Sequence, residues 1–234
     1  MIGCIIQARM GSTRLPGKIL KKIDDEKLVL DFLINQLKSV KCLEKIIIAT
    51  TKKDEDDVIE EFSRKNKLEC FRGDEDNVLE RYYQAAKEYE LDIIVRITSD
   101  DPLVDPEIID YGMKIFNSEK LDLFSTNQSK TFPHGIVFEI FSFNALKSII
   151  NEVLSVSERE HVTPFFYSNE KRFKIHNFSL DKDMSHIRCS LDTPNDLTFL
   201  RELIKKIENR PIHLKDVILA SVKFPELLEI NNKN

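Results

Sequence analysis

The chain has 234 residues, 41% of them hydrophobic, with a formal net charge of −5 and a pI near 5.7. That composition supports a globular core and excludes disorder, and it lacks the basic excess of a nucleic-acid binder, so any polyanion site must be local. Cys4, Cys42, Cys70 and Cys189 are scattered without a C-x-x-C pair, and the opening "MIGCII" is short and lacks a following cleavage site; we expect no zinc site, disulfide framework, export signal or membrane span, and a cytoplasmic location.

The first strand candidate is "IGCIIQA", and the stretch after it, "QARMGSTRLPGK" over 7–18, holds three cations, two glycines, a proline and no acid. Arg9, Arg14 and Lys18 offer fixed positive charge, while Gly11 and Gly17 permit close backbone approach, as a phosphate-rich ligand requires. A solvated turn is the plainer reading of the same residues. Amphipathic stretches over 28–39, 56–65 and 78–89 then alternate with strand candidates "KIIIATT", "LECF" and "DIIVRIT". This rhythm predicts a mostly parallel sheet covered on both faces, with ligands beyond the strands' carboxyl ends. The acidic run over 54–57 reads as a solvated helix start.

Asp105-Pro106-Glu107 predicts a helix beginning, with Asp105 as N-cap and Pro106 in the first helical position. Beyond it, "LDLFSTN", "GIVFEIFSF", "FKIHNFS" and "HIRCSLD" read as strands of a mixed sheet. Ser157 and Glu160 match a capping box, and Thr193-Pro194 opens the next helix. No linker divides the chain, so 1–234 is expected to be a single domain, with a nucleotide half about 1–120 and an acceptor half about 121–210. The tail "NNKN" should fray.

The cationic loop fits neither common phosphate-binding pattern. Five residues separate Gly11 from Gly17 and Ile19 follows Lys18, which fails the P-loop spacing, and G-x-G-x-x-G is absent. Asp100 and Asp192 each end a strand candidate just before a helix. Either alone is ordinarily a turn or cap residue; together, and with the loop, they suit Mg²⁺ bound to a triphosphate.

With "FRGDEDNVLERYYQAA", "VRITSDDPLVDPEIID", "FPHGIVFEIFSFNAL", "SEREHVTPFF" and "SLDTPNDL", the loop resembles the spore-coat polysaccharide cytidylyltransferases, relatives of the ketodeoxyoctulosonate and acylneuraminate enzymes. The resemblance covers about 2–203. It implies a three-layer α/β/α nucleotide-diphospho-sugar transferase fold, mixed but mostly parallel, and transfer of CMP from CTP to a small sugar with pyrophosphate release. It places Gln7, Ala8, Arg9, Gly11, Ser12 and Lys18 on the nucleotide, and Arg72, Gly73, Asp74, Asn77 and Arg81 near cytosine and ribose. Arg9, Lys18, Asp100 and Asp192 become catalytic, the two aspartates as Mg²⁺ ligands. His134, Gly135, Glu139, Arg159 and His161 fall to the acceptor pocket; no residue identifies itself as the general base, and His134 and His161 are candidates that equally suit orienting the substrate or a structural hydrogen bond. A homodimer is expected by the same resemblance.

The chain departs from the pattern at two places: Ser99-Asp100-Asp101-Pro102 stands where Gly-Asp-Cys-Pro is common, and Val137 replaces an acid. Assignment of the metal to Asp100 rather than Asp101 rests on alignment. Two other readings stay open: a nucleotidyltransferase of this fold using another nucleotide or a phosphorylated acceptor, and a noncatalytic nucleotide-binding protein.

Overall fold

In the computed structural model, which describes residues 1–152 and 154–231, the apolar runs of the first half form β1 (Ile2–Gln7), β2 (Lys45–Thr51), β3 (Glu69–Gly73) and β4 (Ile93–Thr98). All four are parallel, and Ile5 of the central β1 lies opposite Ile47 on one side and Arg96 on the other. The helices between them fall on the periodic stretches: α1 (Val29–Leu37), α2 (Asp57–Lys65), α3 (Val78–Glu88) and α4 (Pro106–Glu119). Asp105 caps α4 as expected, its carboxylate accepting from the Glu107 amide at 2.8 Å.

The second half adds β5 (Leu123–Ser125), β6 (Glu139–Ser142) and β7 (Ile175–Asn177), giving the order β3-β2-β1-β4-β6-β5-β7. Because β6 runs antiparallel to both β4 and β5, the sheet is mixed but mostly parallel. The later helices are α5 (Phe143–Ile149), α6 (Val156–His161), α7 (Pro164–Ser168), α8 (Pro194–Lys205) and α9 (Leu214–Lys223).

Strand alternation explains the layers. Cys4 and Ile6 of β1, with Ile48 and Val95, face Leu33 of α1, Phe62 of α2 and Met113 of α4. Ile5, Ile47 and Ile94 point the other way, onto Leu79 and Tyr82 of α3, Leu146 of α5 and Phe166 of α7. A third cluster joins Leu200 and Leu203 of α8 and Val217 of α9 to Phe32 of α1 and Leu191. These side chains are almost wholly buried, each contributing roughly 1.5–3 kcal/mol relative to exposure. The result is the expected α/β/α sandwich.

Three local expectations are corrected. "HIRCSLD" forms no strand, only a bridge from Arg188 to His134. The Cys189 amide donates to the His134 carbonyl at 2.6 Å, then Gly135 (φ 91°) turns so close that a Cβ there would lie 2.3 Å from the Ser190 nitrogen. The capping box of α6 is Ser155 with Glu158, whose carboxylate accepts the Ser155 amide at 2.8 Å. Two Ser-x-x-Glu patterns overlap here, and the later one would leave about one turn before Thr163-Pro164 opens α7. Asn231 does not fray: it is 3% exposed and its amide donates to the Arg188 carbonyl at 3.0 Å, while the rest of "NNKN", 232–234, lies outside the described residues.

Candidate active site

Chain leaving β1 and β4 at Gln7 and Thr98 builds the site at the carboxyl edge of the parallel strands. The loop folds on itself, with the Ser12 and Gly17 amides donating to the Met10 carbonyl at 2.8 and 3.3 Å. It is tethered by Asp56, which accepts the Met10 amide at 2.7 Å and the Thr51 hydroxyl. Asp56 is wholly buried, so the acidic run is not uniformly a solvated face; Asp54, Glu55 and Asp57 are exposed as expected. Gly17, at φ 64°, supplies the left-handed turn into a short 3-10 segment that begins with Lys18.

Lys18 is the meeting point of the predicted carboxylates. Its ammonium donates to Asp100 Oδ2 at 2.6 Å and to Asp192 Oδ1 at 3.0 Å. Arg14 reaches Asp192 Oδ1 at 3.0 Å, and Arg188 reaches Oδ2 at 2.6 Å. Burial alone would lower the Lys18 pKa, but Asp100 and Asp192 outweigh it and hold the ammonium above its ordinary value. Asp192 moves down for the converse reason: burial pushes it up, and Lys18, Arg14 and Arg188 more than compensate. Arg188 is an addition to the expected set; it stands four residues before Asp192 in the same segment.

Two cavities flank this junction. One, of about 740 Å³, is lined by Gln7, Ala8, Arg9, Gly11, Ser12, Arg14 and Lys18 from the loop, and by Arg81 and His161. The other, of about 640 Å³, is lined by Arg96, Asp101, His134, Gly135, Val137 and Glu139. Thr98, Asp100 and Asp192 border both. Thus the loop cations Arg9, Arg14 and Lys18 share one cavity with Arg81, and His134 and Gly135 lie in the next. The histidines separate, His161 on the loop side and His134 opposite; burial, then Arg188, lower the His134 pKa and keep its ring neutral at pH 7.

Five expected contacts fall elsewhere. Arg72 lines neither cavity; it donates to Asp57 at 2.6 Å, Glu60 at 2.8 Å and the Thr51 and Lys53 carbonyls at 2.8 Å, clamping β3 and β2 to α2. Asp74 closes the following turn on the Asp76 and Asn77 amides, Asn77 caps α3 by accepting from Glu80, and Gly73 lies under the Arg81 stem. Arg159 is exposed on α6, outside both cavities. Arg81 does reach the loop-side cavity, is 3% exposed, and anchors one end on the Asp74 carbonyl at 2.8 Å. Glu139 lines the second cavity but is already engaged by Arg96 at 2.8 Å and by the Thr163 and Tyr167 hydroxyls at 2.8 and 2.6 Å.

Of the adjacent aspartates, Asp100 meets Lys18, whereas Asp101 is buried beside the Thr98 hydroxyl. Burial, then the Asp100 charge, push Asp101 up to about 7. Among the described residues no cluster of three or more His, Cys, Asp or Glu could hold a metal by itself, and no helix is long and apolar enough to cross a membrane.

The Cytidylyltransferase family matches this chain over residues 3–223. The spore coat polysaccharide biosynthesis protein SpsF of Bacillus subtilis is 30% identical over 237 residues, covering 98% of this chain and 93% of that protein. A 3-deoxy-manno-octulosonate cytidylyltransferase of Bdellovibrio bacteriovorus is 30% identical over 151 residues, 63% of this chain and 57% of the relative. A solved cytidylyltransferase structure from Leptospira borgpetersenii superposes with a TM-score of 0.92 at 34% identity, covering 100% of this chain and 98% of that one. The matched span takes in the sheet, both cavities and the Lys18 junction, and the chain belongs to the cytidylyltransferase family of nucleotidyltransferases.

Proposed function

We propose that the protein transfers CMP from CTP to an acidic or related sugar, releasing pyrophosphate, in the cytoplasmic assembly of a surface polysaccharide or glycan. The observation that carries this reading is the pair of cavities meeting at Thr98, Asp100 and Asp192. The loop cations Arg9, Arg14 and Lys18, in a cavity that Glu75, Asp76 and Glu160 also line, suit a triphosphate, and the neighbouring cavity admits an acceptor from the other side of the same junction. In-line attack by an acceptor oxygen on the α-phosphorus needs little covalent help from the protein. Positioning does most of the work, and Lys18, Arg9 and Arg14 neutralise charge on the phosphates and departing pyrophosphate. Arg81, pinned by the Asp74 carbonyl, forms a rigid wall where the nucleoside would lie.

Asp100 and Asp192 fit Mg²⁺: they are oxygen donors, held apart by one ammonium, with carboxylates 26% and 17% exposed. Such a pair, completed by phosphate oxygens, is the usual protein share of a Mg²⁺ site. When bound, the ion would supply charge neutralisation to the triphosphate.

The test is pyrophosphate release with Mg²⁺ and each of CTP, UTP, GTP and ATP, against ulosonic acids and phosphorylated small acceptors. Release with CTP and an acid sugar is the expected result. Release with another nucleotide or only with a phosphorylated acceptor would replace this reading by its same-fold alternative. CTP binding in calorimetry without release for any pair would instead indicate a noncatalytic binding protein.

A further inference from the structure

On the acceptor side of the junction, one buried acid is left without a task. Asp101 is 6% exposed and lines the 640 Å³ cavity, yet its Oδ1 has no hydrogen-bond partner among the described residues. The side chain is held in place all the same: the Thr98 hydroxyl donates to Oδ2 at 2.5 Å, and the Asp101 amide donates to the Thr98 carbonyl at 3.2 Å. The other charges of this cavity near the junction are matched. Arg96 pairs with Glu139 at 2.8 Å, Asp100 with Lys18 at 2.6 Å, and Asp192 with Lys18 and Arg188 at 3.0 and 2.6 Å.

A turn-forming aspartate would explain burial differently, by accepting neighbouring backbone amides, as Asp74 does. The described hydrogen bonds of the Asp101 carboxylate include no backbone amide; Thr98 donates its hydroxyl to Oδ2, and the Ser190 hydroxyl is the other polar group at the carboxylate. A buried carboxylate oxygen without a donor is costly, and in a residue that lines a cavity a small shift of the side chain would let a ligand's donor reach it. Its chain neighbour Asp100 lies at the boundary of the two cavities, which puts Asp101 on the acceptor's approach to the α-phosphorus.

We infer that Asp101 is a specificity-determining residue whose Oδ1 accepts a hydrogen bond from a hydroxyl of the acceptor sugar and orients that sugar at the junction. This rests on the acceptor reading proposed above. A site built around a buried hydrogen-bonding group discriminates strongly, because an acceptor lacking the matching hydroxyl leaves the group unpaired.

The experiment uses the full chain with Mg²⁺, CTP and the acid sugar that the wild type turns over fastest. Asp101→Leu should lower kcat/KM for the acceptor by about 100-fold, with CTP affinity in calorimetry and the KM for CTP unchanged within about twofold. Asp101→Asn, which keeps an oxygen, should recover part of the loss. Asp101→Ser, smaller and polar, should reproduce the acceptor defect and serves if the leucine variant does not fold. Unchanged acceptor kcat/KM in the leucine and serine variants overturns the assignment. So does a parallel loss of CTP affinity and thermal stability, which would make Asp101 a structural residue. Wild type that binds CTP but turns over no acid sugar overturns the underlying reading and this assignment with it. That outcome is distinct from variants that work as well as an active wild type.

Discussion

Lys18 differs from the other loop cations because it touches both Asp100 and Asp192, whereas Arg9 makes a 3.5 Å contact with Glu75 and its side chain is 50% exposed. Removing the ammonium leaves Asp100 and Asp192 facing each other and deprives the triphosphate of a fixed charge. Lys18→Met is therefore expected to lower kcat by about 10²- to 10³-fold in a pyrophosphate-release assay, the scale seen when one preorganised donor is lost. The pH sign also follows. Because the folded pKa of Lys18 is raised, its contribution to stability is complete below the unfolded value of about 10.4 and is lost as pH rises through the folded one. The stability gap between wild type and Lys18→Met should stay constant from about pH 6 to 9 and narrow only in strong alkali. Asp100 was legible in the sequence because an acid incompatible with an apolar strand stands just beyond β4, Lys18 because it closes a loop rich in cations and glycine, and Asp192 because it ends an apolar run just before a Thr-Pro helix start. Asp56 was not, since an acid at a helix start reads the same whether it faces water or binds the Met10 amide from beneath a loop.

At the level of elements, the start of α8 shows how a helix cap fixes the backbone that carries Asp192. Asp196, fully buried, accepts the Thr193 amide at 2.8 Å and the Asp192 amide at 3.0 Å, and binds Arg188 Nε at 3.1 Å. It therefore sets the backbone that carries Asp192. Burial pushes its pKa up, but the Thr193 hydroxyl and amide and the Asp192 amide bring it below the ordinary value. A depressed folded pKa stabilises above the unfolded value of about 3.9, and that contribution is lost as pH falls through the folded pKa. Asp196→Asn should cost about 2 kcal/mol at pH 7 by urea denaturation, with the gap to wild type closing below about pH 4. The helices and parallel strands could be read because Ile- and Val-rich runs alternate with 3.6-residue periods. The short β5 and β7, 3 residues each, fall within the strand candidates "LDLFSTN" and "FKIHNFS", whereas the 186–192 segment looked like a strand because its apolar alternation serves the α8 cluster instead. The pairing of Arg72 could not be read from its own motif, because the residues that engage it, Asp57 and Glu60, lie a helix earlier in the chain.

Across the whole molecule, the two cavities are joined by a polar chain through the sheet where its parallel half meets antiparallel β6. Gln7, on the loop side, accepts from Arg96 at 3.2 Å; Arg96 donates to Glu139 at 2.8 Å; Glu139 takes the Thr163 and Tyr167 hydroxyls of the α7 region. The resemblance placed Glu139 among acceptor contacts, and it lines the second cavity. Its geometry favours a different primary task, because it is 1% exposed and both oxygens are occupied by protein donors. Neutralising it would leave the Arg96 guanidinium buried without a counter-charge, and breaking such a pair from one side costs about 3–5 kcal/mol. Glu139→Gln should accordingly lower the urea midpoint sharply and reduce kcat/KM for CTP and for the acceptor by similar factors, since Gln7 and the acceptor wall share the same support. An undiminished midpoint with a rise confined to the acceptor KM would show instead that Glu139 spends its charge on the sugar.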